Sequence, residues 1–461
     1  MAWPALGGAV RPRERVSTGG PSVESGGSRP DGGAAATIEP LLALFVGHPL
    51  PVRFELWDGS AVGPEGGPGS VVVRSPEALR HALWAPGELG LVRAYVAGAL
   101  EVRGDLFEVL RTLRRSLADP LRADPLRADP LRADPRLVAR AVQALVRLRA
   151  LGPPPKRPPV EASARGRLHS RGRDSQVITH HYDIGNDFYR LALGPSMTYS
   201  CARFAEGVDG LDDAQASKHD LVCRKLGLHE RPGSRLLDVG YGWGSTALHA
   251  ARHYGAHVVG VTLSAAQAEL ARRRVQEAGL EHLVEVRLQD YRDLRGERFD
   301  AISSIGMSEH VGKGETAGYF ELLHSLLTEP GRLLNHAISS VGGSVMRRRS
   351  FIGRYVFPDG ELLDVGDVVL AMERAGFEVR DVESLREHYS KTLHTWVGNL
   401  DANWDRAIEL VGLARARVWR LYMAASANGF DDGGVSAHQV LGVKPSSTGR
   451  SGMPATRRDW S

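Results

Sequence analysis

A strand that ends in glycine and turns directly into a helix most narrows what this chain can fold into. RLLDVG at 235–240 is an apolar run closed by glycine, and it opens Asp238-Val-Gly240-Tyr-Gly242-Trp-Gly244 ahead of a helical stretch. Strand-like and helical segments alternate downstream. AHVVGVTLS (256–264) precedes a helix over 265–280 that ends at Gly279. VEVRLQD (284–290) and RFDAISSIG (298–306) follow, then a helix over 316–327 and GRLLNHAIS (331–339). Such alternation predicts an α/β fold with a Rossmann-like, doubly wound parallel sheet.

Glycines in this kind of turn let the backbone approach a nucleotide-like ligand closely. A tight turn with no ligand is the plain alternative, and dinucleotide sites use a related pattern. Two details point instead to S-adenosylmethionine (SAM). Asp238 stands two positions before the first glycine, and Gly240, Gly242 and Gly244 run G-x-G-x-G. The second strand ends in Thr262-Leu263-Ser264, with Gln267 just beyond, where a dinucleotide site carries the acid that binds a ribose. The third strand ends in Gln289-Asp290, placed to hydrogen-bond an adenine edge.

A length of 461 residues suggests two or three domains. With 42% hydrophobic residues and 24% charged, a mostly disordered chain is excluded. No apolar run approaches the length of a membrane span, and the N-terminus lacks a signal-peptide core. The only cysteines, Cys201 and Cys223, exclude a disulfide framework, so a reducing cytoplasm is expected.

The chain divides into a disordered 1–36, a small α+β domain over 37–117, a linker over 118–176, the larger domain over 177–445 and a flexible tail over 446–461. The small domain is expected to hold a helix over 38–45, strands within 51–60 and 71–75, and a helix over 75–84 with Ser75 as N-cap and Pro76 at its first position. The linker repeats ADPLR three times, and a proline every fifth residue cannot sit in one helix. An amphipathic helix over 137–151 and a stiff PPPKRPP at 153–159 follow. Net charge is only +4, yet residues 136–173 hold ten basic side chains and one acid, Glu161. That block is either a surface for anionic partners or a solvated linker.

HHYDIGNDFYRL (180–191), MTYSCARF (197–204), DVGYGWG (238–244), GVTLSAAQ (260–267), LQDYRD (288–293), IGMSEHVG (305–312), LLNHAIS (333–339) and YVFPDGEL (355–362) occur in that order. Together they resemble the cyclopropane-fatty-acyl-phospholipid synthase family, which includes the mycolic acid methyltransferases, over about 177–444. Residues 38–115 look like the N-terminal domain of its phospholipid-acting members. GPSMTYSCA and LLNHAI look closest to the actinobacterial enzymes that make 10-methylene stearate, the precursor of tuberculostearic acid. Tyr241 departs from the cysteine common in the family's glycine loop.

The resemblance implies methyl transfer from SAM to the cis double bond of an unsaturated phospholipid acyl chain, with bicarbonate as the base. Its pocket maps onto Cys201, Glu309, His336, Ile338 and Tyr389, and SAM contact extends to Tyr182, Tyr199 and Ser200. A carbocation on the acyl chain would suit aromatic faces, for which Tyr199, Tyr355, Phe357, Tyr389 and Trp396 are candidates. Loss of a proton directly would close a cyclopropane; a hydride shift first would leave a 10-methylene branch, which implies a reductase partner. A methyltransferase for a soluble metabolite and a lipid- or nucleic-acid-binding scaffold are the other classes. Nucleic-acid motifs are absent. Adjacent histidines on a strand, His180 and His181, face opposite sides and complete no ligand cluster with Asp183, so no metal is expected. The expected setting is the cytoplasm, peripherally on the inner face of the cell membrane. Oligomeric state is not legible from these residues.

Overall fold

The computed structural model describes residues 33–118, 135–162, 170–182, 184–343, 350–457 and 460. Four short strands build the N-terminal sheet, β1 (Arg53–Glu55), β2 (Ala61–Val62), β3 (Gly69–Val73), whose valine run sits at its centre, and β4 (Leu100–Gly104), in the order β2-β1-β3-β4. Only β1 and β3 are parallel. Ile38 of the helix Ala34–Val46, Phe54, Val71, Val73, Val109 and Leu145 close its core. The helix expected over 75–84 spans Glu77–Trp84, one residue inside Pro76, and has no side-chain cap bond. The ADPLR repeat lies almost wholly outside the described residues. The helix after it is Pro135–Arg147, shorter than expected because Arg149 takes a left-handed conformation.

The larger sheet holds β5 (Arg235–Val239), β6 (His257–Thr262), β7 (Val284–Leu288), β8 (Phe299–Ile305), β9 (Leu327–Ser340), β10 (Leu363–Asp364), β11 (Glu378–Ser384) and β12 (Val435–Lys444). Its order is β11-β12-β9-β8-β5-β6-β7, with β10 against the end of β9. The strands from β5 to β9 pair in parallel as expected. β12 and β11 are antiparallel, so the sheet is mixed, a departure from the all-parallel expectation. Nothing local in the short run QVLGV sets its direction, which follows from the helix Leu413–Asp431 that delivers β12 beside β9.

That helix packs on Arg386–Ala402, with Ala416, Ala424 and Ala427 fully buried in the same core as Leu393, Trp396 and Val397. Small residues bring the two helices close and leave room for large rings between them. The same helix ties the N-terminal unit down. Arg417 donates to the Tyr95 carbonyl at 2.8 Å and to Glu101 at 2.6 Å, and Asn428 donates to the Phe107 carbonyl at 2.8 Å. The connector adds a buried clasp. Glu161 accepts two bonds from Arg93, at 3.0 and 2.8 Å, and one from the Tyr355 hydroxyl at 3.4 Å, while Ala162 N–H donates to the Arg354 carbonyl at 2.8 Å.

Two further expectations change. His180 and His181 lie in a helix, Arg171–Tyr182, rather than a strand, and the described residues hold no cluster of metal-ligating side chains. The stretch read as a flexible tail returns along the sheet. Arg332 donates to the Gly452 carbonyl, Arg380 to that of Pro454, Arg457 pairs with Asp381, and Trp460 is buried.

Removing one partner of a buried ion pair strands the other charge. Glu161→Ala is therefore expected to lower the unfolding free energy by about 3 kcal/mol in urea titrations, and Arg93→Leu/Glu161→Ala to lose less than the single change.

Candidate active site

The loops that leave the carboxyl ends of β5, β6, β7 and β8 enclose one cavity, where a doubly wound sheet binds its ligands. Asp238, Gly240 and Gly242 line it after β5, Thr262, Leu263 and Gln267 after β6, Gln289 after β7, and Met307 and His310 after β8. Tyr182, Tyr199 and Ser200 complete the wall. Asp238 is buried and accepts from Ser303 Oγ at 2.6 Å; burial pushes its carboxyl up to about 6, while Ser303 and Lys218 pull it back. Gly240 has φ +76°, and a Cβ there would stand 2.4 Å from Met307 Sδ, so only glycine fits.

Three residues expected to meet the cofactor stand elsewhere. Gly244 caps the helix Ser245–Tyr254 and faces the Tyr241 ring. Ser264 caps the helix Ala265–Glu277, accepting from Gln267 N–H at 3.2 Å. Asp290 does not face the cavity, because both its oxygens are on Arg292, at 2.8–3.1 Å. A carboxylate two residues before an arginine pairs locally, and the arginine takes its place in the lining.

Tyr241, the departure in the loop, is buried between two glycines. A Cβ at Gly260 would lie 1.8 Å from its ring, and one at Gly244 2.6 Å from it. The ring thus drops beneath the loop toward β6, and Gly260 makes the space.

Behind the cavity stands a second group of side chains. Ser200 and His310 line the cavity, while their neighbours Cys201 and Glu309 do not. β8 pairs with β9 only as far as Ile305–His336, and β10 takes up the pairing with β9 only at Leu363–Ser339. The Ile338 N–H falls in that gap and donates to Glu309 Oε1 at 2.7 Å. His336 and Ile338, two apart on a strand, share a face. Gln439, opposite His336 on β12, accepts from Lys225 at 2.9 Å with its amide oxygen. Its NH₂ therefore points at His336 Nδ1, 3.3 Å away, which makes Nδ1 the acceptor and puts the ring proton on Nε2. Burial holds His336 neutral, its pKa pushed down to about 3. The same cause pushes Glu309 up to about 7. Glu309 Oε2 and His336 Nε2 are both buried and have no partner among the described residues. Cys201 donates to the Ala202 and Leu385 carbonyls, at 3.1 and 3.6 Å, and burial keeps it a neutral thiol. Tyr389, stacked on Phe430 at 4.6 Å, stays protonated for the same reason.

Rings gather beside this group. Tyr199 meets Trp396 at 5.4 Å and Trp419 at 5.8 Å, and its hydroxyl reaches that of Tyr422 at 3.4 Å. Phe357 packs on His181 at 4.2 Å and Tyr422 at 5.8 Å. Tyr355, also a candidate, is not among them: it packs on Phe351 and turns its hydroxyl to Glu161. The sequence reading missed Trp419 and Tyr422, three apart on one helix, where an apolar stripe was the available signal. It also missed Lys218, whose buried amine donates to Ser200 Oγ at 3.0 Å and has its pKa pushed down to about 7 by burial.

The sequence profile of the mycolic acid cyclopropane synthetase family matches residues 169–440. The chain belongs to this family. It is a SAM-dependent methyltransferase, as the family's fold and the cavity's position indicate. Among its relatives, a probable fatty acid methyltransferase of Mycobacterium tuberculosis is 42% identical over 90% of this chain and 95% of that protein. The tuberculostearic acid methyltransferase UfaA1 of the same organism is 32% identical over 88% of this chain and 90% of its own length. The crystal structure of mycolic acid cyclopropane synthase CmaA1 complexed with SAH and CTAB superposes with a TM-score of 0.56, at 36% identity, over 59% of this chain and 98% of that one.

Overpacking at Gly260 is expected to show directly. Gly260→Ala should lower the thermal midpoint by several degrees, about 2 kcal/mol, and Tyr241→Cys in the same chain should restore it. Glu309 gives a pH signature. Its folded pKa lies above the ordinary 4.5, so its contribution is full below that value and lost as pH rises through about 7. Glu309→Gln, which keeps an acceptor for Ile338, should match the parent near pH 4.5. At pH 8 it should be more stable by up to about 3 kcal/mol in denaturant titrations.

Proposed function

We propose that this chain transfers a methyl group from SAM to the cis double bond of an oleoyl chain in a phospholipid, giving a 10-methylene branch, with bicarbonate as the base. The observation that carries the reading is the pair of orphaned atoms behind the cavity. Glu309 Oε2 is an acceptor and His336 Nε2–H a donor. Bicarbonate has both an O–H to give and an oxyanion to receive, and so matches that pair. Thr262, Gln267 and Gln289 offer polar atoms, and Gly240 and Gly242 offer backbone, to an adenosyl ligand in the cavity.

When bound, SAM supplies an electrophilic methyl whose transfer leaves a carbocation on the acyl chain, and bicarbonate supplies the proton acceptor. The protein does the rest. Tyr199, Phe357, Trp396, Trp419 and Tyr422 present ring faces that exclude water and favour a cation. Glu309 and His336 hold the base in orientation, with the Tyr389 hydroxyl as a further donor, while the single proton of the Cys201 thiol is held by backbone carbonyls. Gln439 keeps the His336 proton on Nε2. Ile338 contributes its backbone N–H, which fixes Glu309.

The 10-methylene product is supported by the tuberculostearic acid methyltransferase, which aligns over the N-terminal unit as well. A methylene product calls for a reductase to consume it. The same residues serve direct ring closure, and a cyclopropane is the alternative product. The protein would act peripherally on the inner face of the cell membrane; no helix among the described residues is long and apolar enough to cross one.

Purified protein, SAM with a labelled methyl and dioleoyl phospholipid vesicles, followed by NMR of the released fatty acids, test this. A labelled mid-chain methylene is expected; a labelled cyclopropane would replace the product assignment. Glu309→Gln should lose product at least a hundredfold while SAM affinity by calorimetry stays within about twofold. Retained turnover in that variant would overturn the base assignment.

A further inference from the structure

One apolar surface of the N-terminal unit is left uncovered by the described residues. Leu83 and Trp84, at the end of the helix Glu77–Trp84, are 42% and 57% exposed; Val146 and Leu151 are 57% and 51% exposed. Trp84 and the 151–152 turn meet, because the indole N–H donates to the Gly152 carbonyl at 3.0 Å. Arg80 lies against the same turn, 3.4 Å from where a Cβ on Gly152 would stand.

The turn itself is built in an unusual way. The helix Pro135–Arg147 closes with Arg149 N–H on the Val146 carbonyl at 3.0 Å and Ala150 N–H on that of Leu145 at 2.8 Å. This paired arrangement places Arg149 at φ +53°, in the left-handed position that glycine ordinarily fills. A side chain there works against folding, so its presence calls for another reason. Arg147, Arg149, Lys156 and Arg157 are all exposed, and none has a carboxylate within ion-pair distance among the described residues. Residues 136–157 contain no acid.

We propose that this surface docks the protein on an anionic phospholipid bilayer, with Trp84 and Leu151 at the acyl boundary and the arginines among the headgroups. An indole with aliphatic tips beside unpaired cationic side chains is the composition of an interfacial anchor. A second copy of the same face would bring like charges together, and a phosphate backbone would leave the apolar tips without a role. The position also serves the chemistry. From Leu151 the connector runs ten residues to Glu161, which clasps Tyr355, and Phe357 among the site's rings follows two residues on. The inference rests on the lipid reading above.

The test uses the full chain and vesicles of dioleoyl phosphatidylglycerol with phosphatidylcholine, read by flotation. Arg149→Gly removes a charge and relieves the backbone, so its thermal midpoint should equal or exceed the parent's while its partition coefficient falls about fivefold. Trp84→Ala/Leu151→Ser should fall tenfold or more. Methyl transfer to vesicle lipid should drop in step, and transfer to the same lipid in detergent micelles should stay at the parent rate. Variants that float and methylate vesicles like the parent would overturn the surface alone. Equal binding to pure phosphatidylcholine would overturn its anionic preference. Loss of a dimer in the variants by light scattering would reassign the face to self-association. A parent that methylates oleoyl lipid in neither vesicles nor micelles would instead sink the lipid reading itself.

Discussion

The amide proton of Ile338 has no strand to meet. β8 stops level with His336, β10 pairs only from Ser339 onward, and the bond that a continuous ladder would have made is given to Glu309. A carboxylate is thereby fixed in a place where burial disfavours its charge, and on the same strand as its Ile338 partner burial holds His336 neutral. The interruption in pairing is thus the site's foundation. It sets one oxygen of Glu309 to structural work and leaves the other unsatisfied.

Polar groups around this point settle one another in sequence. Lys225 orients the Gln439 amide, the amide selects the His336 tautomer, and the tautomer decides which nitrogen carries the proton. Each link is buried, so each is strong and each would be expensive to leave unmade. Lys218 does comparable work on the other wall. Its amine holds Ser200 while Gln215, one turn earlier on the same helix, holds the Ser200 carbonyl at 2.9 Å. The segment that contributes both Ser200 and Cys201 is therefore gripped from below before any ligand arrives.

The glycine loop and the strands from β5 to β9 were legible because their patterns are local: apolar runs, glycine stops and helical spacing. β11 and β12 were not, since their place beside β9 depends on a helix pair that brings distant segments together. Among site residues, Asp238 and Gln289 were readable from position after a strand. Asp290 misled because its partner, Arg292, sits two residues away and captures it. Tyr355 misled for the opposite reason: its partner, Glu161, lies 194 residues earlier. Lys218 went unseen because its setting, ASKHD, reads as a solvated helix face. The roles of Glu309 and His336 came with family resemblance, but that each keeps one unsatisfied atom is visible only in three dimensions.

Tyr241 and Gly260 imply an order of events. The tyrosine ring occupies the volume that any β-carbon at position 260 would need. An ancestor with a small side chain in the loop could drift at position 260 between glycine and alanine, but only those lineages holding glycine could accept the larger ring. Once accepted, the ring locks the glycine, which can change only after the tyrosine has been lost. The dependence therefore runs one way across nineteen residues: a tyrosine at 241 requires a glycine at 260, while the glycine makes no demand on position 241.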